Sequence, residues 1–279
     1  MKFIVPCAVL VLMTSIGMSL NLQQFIANWR RLTIATWGKL LVATFILPPI
    51  LALLLGNLLP IGRDALIGLF LVAVAPGAPL MTRGVAKRGF DMQLAASYQA
   101  WGALLTPIMI PLLVGAAGLL YGQSIWVPPL DLLLVIAKQQ FLPLLVGMAL
   151  MYFAPTFSIK IRRPLNVIGN GLLVVALVFL LVKMGPALKE VSPWVAIAAL
   201  LLAAGCIASS FLFLAGTAKE ITETLVICNV NRHVGLALLI SGTHFRAPGA
   251  LPSIVAFAFA AQLMMWIYAR LTGHSEGRT

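Results

Sequence analysis

Charge is what this chain has least of. Only 9% of its 279 residues are charged, and Asp and Glu together number seven. A soluble globular domain carries about 25% charged residues, so too few are present here to cover a water-facing surface. With 61% hydrophobic residues, the composition is that of an integral membrane protein. Cysteine is scarce too. Cys7, Cys206 and Cys228 lie far apart inside apolar runs, which excludes a disulfide framework and any thiolate metal spacing. No H-E-x-x-H, no G-x-S-x-G and no paired intramembrane aspartates occur, so the common hydrolase chemistries have no foothold.

The balance of the charge is basic, with 19 Lys and Arg and a formal net charge of +12. These residues form short clusters between apolar runs, as expected of loops facing anionic lipid, and no nucleic-acid partner is expected. The opening "MKFIVPCAVLVLMTSIGMS" has the lysine and short apolar core of a signal peptide. It lacks a clear small-residue cleavage site and is read as a first span.

A membrane-crossing helix needs about 20 apolar residues. Candidate spans fall near 3–19, 40–59, 65–82, 93–121, 130–153, 165–184, 193–215, 221–242 and 250–270. The fourth contains Pro107 and Pro111 but is too short for two spans, so one tilted or kinked helix is expected. The loops after spans 1, 3, 5 and 7 and the tail hold Arg30, Arg31, Lys39, Arg83, Lys87, Arg88, Lys160, Arg162, Arg163, Lys219, Arg270 and Arg278, twelve in all. The opposite side holds five: Lys2, Arg63, Lys183, Lys189 and Arg246. The bias predicts a multi-pass protein of the bacterial inner membrane with its N-terminus outside and its C-terminus in the cytoplasm.

Two spans are interrupted. In "VAVAPGAPLMTRG", Pro76 and Pro79 around Gly77 remove two backbone donors and predict an unwound turn. In "CNVNRH" (Cys228 to His233), Asn229, Asn231, Arg232 and His233 form one polar knot. Unwound backbone at that depth must be buried in protein or line a wet cavity. The two spans are five apart and opposite in direction, the arrangement that an inverted repeat produces around a transporter's binding site. Such a repeat divides the chain into 1–125, one helix short, and 126–279.

The blocks "SIGMSLNLQQF", "VAPGAPLMTRGVAKRGFD" and "TLVICNVNRHVGLAL", in that order, resemble the bile acid:sodium symporter family over nearly the whole length. The resemblance implies an all-α fold of nine transmembrane helices, in two inverted repeats with a panel domain, a core domain and two crossing broken helices. It also implies alternating-access transport of an organic anion. The family's first crossing motif, laid on Pro76-Gly77-Ala78-Pro79, brings its sodium-binding serine and asparagine onto Met81 and Thr82. In the following helix the family's serine and threonine ligands fall on Ala95 and Gln99. In the second crossing, anchored on Gly235 to Leu238, its glutamate, glutamine and asparagine fall on Cys228, Arg232 and His233. A thioether, a thiol and a guanidinium do not replace the hard oxygens that sodium requires. No cofactor is expected, and sodium is expected to be at most a degraded partner bound by backbone oxygens.

Arg232 carries a fixed charge. At the centre of a bilayer that costs about 2.5–3.5 kcal/mol on insertion scales, so the residue is expected to face a cavity or a partner. One reading is a built-in countercharge that replaces the mobile cation and grips a carboxylate. The alternative is an internal ion pair with Glu223 or Glu220. Candidate substrate contacts are Arg232, His233, Asn231, Asn229, Gln99, Gly77, Ala78 and Pro79, with Tyr98 in reach and Lys138, Gln139 and Gln140 possible liners of a gap between domains. The expected partners are a small organic anion and the bilayer, with no protein partner evident. Rival readings are an intramembrane enzyme built on Cys228 and His233, and a sensor that keeps the fold without transport.

Overall fold

The computed structural model describes residues 4–20, 32–77, 90–122, 125–183, 192–245 and 249–272, with isolated positions 23, 26, 27, 30, 85 and 247. All regular structure among them is helical: α1 (Ile4–Gly17), α2 (Ile34–Leu58), α3 (Arg63–Ala73), α4 (Met92–Tyr121), α5 (Pro129–Phe153), α6 (Pro155–Lys183), α7 (Pro193–Phe213), α8 (Lys219–Val230), α9 (Val234–His244) and α10 (Ala250–Leu271). Six stretches are long and apolar enough to cross a membrane: α2, Leu94–Tyr121 within α4, α5, α7, the α8–α9 pair Lys219–His244, and α10. Their outer faces are apolar where a soluble protein would be polar. Leu119 is 85% exposed, Leu58 76% and Leu212 73%, a surface that only lipid accommodates.

Two boundaries differ from expectation. α2 begins at Ile34 rather than near 40, capped by Thr33, whose Oγ1 accepts the Thr36 N–H at 3.1 Å. Lys39 therefore lies on a helix, not in a loop. α6 begins at Pro155, so Lys160, Arg162 and Arg163 are helical and exposed, with Pro164 inside the helix. Neither proline of α4 ends it, and it runs unbroken for 30 residues.

The helices form two groups. α1, α5 and α6 pack on one another, and α2, α3, α4, α7, α8, α9 and α10 form the larger group. Within the small group α1 and α5 touch backbone to backbone: a Cβ on Gly17 would strike Leu144 O, and one on Gly147 would strike Thr14 O. Such close approach without side chains is how helices associate tightly in lipid. The groups meet along a seam where α9 faces α1 and where α4 faces the first part of α5 and its π-turn.

Among the described residues two helices carry a π-turn that the apolar pattern does not foretell, at Val42–Ile46 in α2 and Ala137–Phe141 in α5. In α2 the Leu47 N–H reaches back five residues to Val42 O. The Ala43 carbonyl thereby loses its usual donor, and Pro48, which has no N–H, leaves the Thr44 carbonyl unbonded as well. Two orphan carbonyls inside a membrane helix must find donors elsewhere. Trp101 of α4, 5.6 Å from both Trp37 and Phe45 and 6.0 Å from Tyr98, holds α4 against this turn.

Candidate functional site

Among the described residues a helix ends at the first expected break, the second break lies between two helices, and the two places meet. α3 stops at Ala73 and the chain runs non-helically through Val74–Gly77, with Gly77 at φ +80°. That left-handed value suits glycine alone among common residues. α8 stops at Val230 and α9 starts at Val234. The His233 N–H donates to Ala75 O at 2.8 Å, a backbone bond joining the two breaks directly. His233 also caps α9, its Nδ1 accepting the Leu236 N–H at 3.0 Å. Its proton therefore sits on Nε2, which is buried and has no partner. α4 crosses behind the first break: a Cβ on Gly77 would lie 3.8 Å from Gln99 O, and one on Gly102 the same distance from Pro76.

Arg232 stands at this junction, 2% exposed. Nη1 donates to Thr44 O at 2.8 Å and to Ala73 O at 3.2 Å. Nη2 donates to Asn229 Oδ1 at 2.9 Å and to Cys206 Sγ at 3.6 Å. The guanidinium thus takes the carbonyl that Pro48 leaves unbonded and one carbonyl at the end of α3, tying α2, α3, α7 and α8 through one planar group. Nε–H has no partner. No carboxylate among the described residues pairs with Arg232, and Glu223 lies 3.8 Å from Lys219 instead. The alternative of an internal ion pair with Glu223 or Glu220 is therefore not what the fold adopts. A charge surrounded by neutral acceptors keeps its field.

Asn229 completes the cage from the same turn of α8. Its Nδ2 lies within hydrogen-bond distance of Ala43 O (3.1 Å), Cys206 O (3.0 Å), Ser209 Oγ (3.1 Å) and Ser210 Oγ (2.9 Å). Ser209 Oγ also reaches Ala43 O at 3.1 Å, so both carbonyls freed by the π-turn are satisfied from α7 and the α8–α9 segment. Tyr98 OH donates to Asn229 Oδ1 at 3.4 Å and lies 3.3 Å from Thr44 Oγ1. Every residue of α8 from Thr222 to Val230 is buried, so this polar knot is shielded from lipid on all sides.

The structure brings together Arg232, His233, Asn229, Tyr98, Gln99 and Gly77 of the expected site residues. Ala95 and Cys228 are buried nearby in α4 and α8. Asn231 points elsewhere: its Nδ2 bonds Ile227 O at 2.8 Å and its Oδ1 accepts from Gln262 at 3.3 Å, toward α10. Ala78, Pro79, Met81 and Thr82 lie outside the described residues. Ala43, Thr44, Cys206, Ser209 and Ser210 belong to the site but were not foreseen from the sequence. For Thr44 the signal was Pro48 inside a span, which leaves the carbonyl four residues upstream in need of a donor; nothing in the sequence marked the other four. Among the described residues no group of three or more His, Cys, Asp or Glu could hold a metal ion.

No curated protein matches this chain significantly. The model of the sodium bile acid symporter family matches residues 6–191, about two thirds of the length. The match includes the first break and the π-turn of α2 and ends before the α8–α9 segment that carries Arg232. Its members are membrane transporters, and the apolar, multi-helix fold agrees with that class. The chain belongs to the sodium bile acid symporter family.

Proposed function

We propose that the protein is a secondary transporter of small organic anions that works by alternating access and does not depend on sodium. The observation that carries this reading is Arg232: a buried guanidinium with no carboxylate partner, held by neutral acceptors where the two breaks meet. A buried charge without a counter-ion is costly, and its persistence is accounted for if the counter-ion is the cargo. The unpartnered Nε of Arg232 and Nε2 of His233 are donors available to an anion, beside the N-terminus of α9. The oxygens around the guanidinium, Thr44 O, Ala73 O and Asn229 Oδ1, are of the kind that a monovalent cation would take. With Arg232 in place they already hold a cation, which is the physical reason for dispensing with sodium.

In this reading nine spans are arranged as inverted repeats in an inner membrane, with the N-terminus outside and the C-terminus in the cytoplasm. The groups of three and seven helices are the panel and core that rock along their seam. The test is thermal unfolding of purified protein against a panel of organic anions, in sodium and in potassium. A ligand that binds only the folded state raises its stability by RT ln(1 + [L]/Kd). Equal stabilisation in both salts is expected. Stabilisation in sodium alone overturns sodium independence, and binding without flux in proteoliposomes assigns the fold to a sensor.

A further inference from the structure

The π-turn of α5 repeats the device of α2 without its occupants. Leu142 N–H reaches back to Ala137 O, and Pro143 follows with no N–H, so the carbonyls of Lys138 and Gln139 lose their ordinary helical donors. In α2 the equivalent carbonyls, those of Ala43 and Thr44, are taken by Asn229, Ser209 and Arg232. Around α5 no side-chain donor among the described residues reaches either one. The amide oxygens of Gln139 and Gln140 are also buried without a partner, and Gln140 is only 1% exposed. One turn therefore presents several acceptors that no side-chain donor among the described residues reaches. Unmet buried acceptors are rare, and each calls for an explanation.

Position supplies one. The turn packs against α1 in its own group and against α4 across the seam, the same α4 that carries Tyr98 and Gln99 at the crossing. Acceptors on this side of the seam complement donors in the cargo. A metal ion is the less apt occupant, because the ammonium of Lys138 belongs to the same turn. Neutral hydroxyl groups meet no such repulsion.

We propose that the π-turn of α5 is a hydroxyl-reading subsite, and that the transported anion is a polyhydroxylated organic acid. Its carboxylate lies toward Arg232 and its hydroxyls donate to the Lys138–Gln140 turn. This inference rests on the anion reading above.

The test pairs anions that share a carbon skeleton: hexanoate with gluconate, and cyclohexanecarboxylate with quinate, each measured by thermal unfolding. The wild-type protein is expected to bind the hydroxylated member of each pair at least about tenfold more tightly. In the Gln139→Leu/Gln140→Leu double variant that ratio falls to near one, with hexanoate affinity unchanged. Pro143→Ala, which restores the missing N–H, lowers the ratio too and carries the test if the double variant does not fold. Equal affinity within each pair, or a ratio that survives both variants, overturns the inference and leaves the anion reading intact. Stabilisation by sodium that these variants abolish assigns the turn to a cation and overturns it as well. Binding of none of the four anions removes both readings.

Discussion

Replacing Arg232 by glutamine separates a structural arginine from a charge that acts on the cargo. The guanidinium donates to Thr44 O, Ala73 O and Asn229 Oδ1 at 2.8, 3.2 and 2.9 Å. Hydrogen bonds inside membrane proteins average about 0.6 kcal/mol, so losing all three costs about 2 kcal/mol. Removing a buried charge returns about 2.5–3.5 kcal/mol on insertion scales. The two terms nearly cancel, and Arg232→Gln is expected to leave the unliganded unfolding temperature within a few degrees of the wild type. Anion affinity behaves otherwise. A unit charge about 5 Å from a carboxylate, at an effective dielectric constant of about 20, contributes about 3 kcal/mol, or roughly a hundredfold in Kd. The assay is anion titration of the unfolding temperature for both proteins, supported by uptake into proteoliposomes. If the variant melts near the wild type and binds the anion with unchanged affinity, Arg232 is only a staple between helices and the reasoning fails.

Asn229→Asp places a carboxylate where Arg232 Nη2 now meets an amide oxygen at 2.9 Å. It cancels the charge while keeping the guanidinium in position, so anion affinity is expected to fall as far as in Arg232→Gln. Retained affinity, measured in the same titration, would mean that geometry rather than charge binds the anion. Gly77→Ala tests the first break. An added Cβ meets only ordinary contacts, the nearest Gln99 O at 3.8 Å, so the penalty comes from φ +80° alone. A loss of about 1–2 kcal/mol is expected, read as a lower unfolding temperature, and no change would mean that the turn is not left-handed.

The limits of the sequence are clearest at α2. Its apolar run announces a span, but it does not say where Pro48 and Pro49 send the carbonyls they leave unbonded. For Thr44 the answer lies far along the chain, in Arg232, and the neighbouring Ala43 carbonyl, freed by the π-turn, is met by Asn229 and Ser209; no local pattern connects them. Lys39 and the Lys160–Arg163 cluster show a smaller failure of the same kind. Hydropathy ends a span where polar residues begin, whereas a helix can continue past the apolar core on backbone hydrogen bonds alone. Asn231 shows a third limit: adjacent to Arg232 in a polar knot, it turns toward Gln262 instead, because side chains one residue apart leave the chain in different directions.

Composition and order determined the class by themselves. Too few charges to face water, apolar runs of membrane length, and two interrupted spans require helices in lipid with unwound backbone buried inside, because a bilayer offers no hydrogen bonds to unpaired peptide groups. Tertiary structure alone decided that the two breaks touch through His233 and Ala75, and that Arg232 binds carbonyls rather than an acid. It also decided that one π-turn is filled by the protein's own donors while the other is not. Those outcomes depend on which distant groups meet, and backbone polarity that no neighbour in sequence can satisfy is met only by packing.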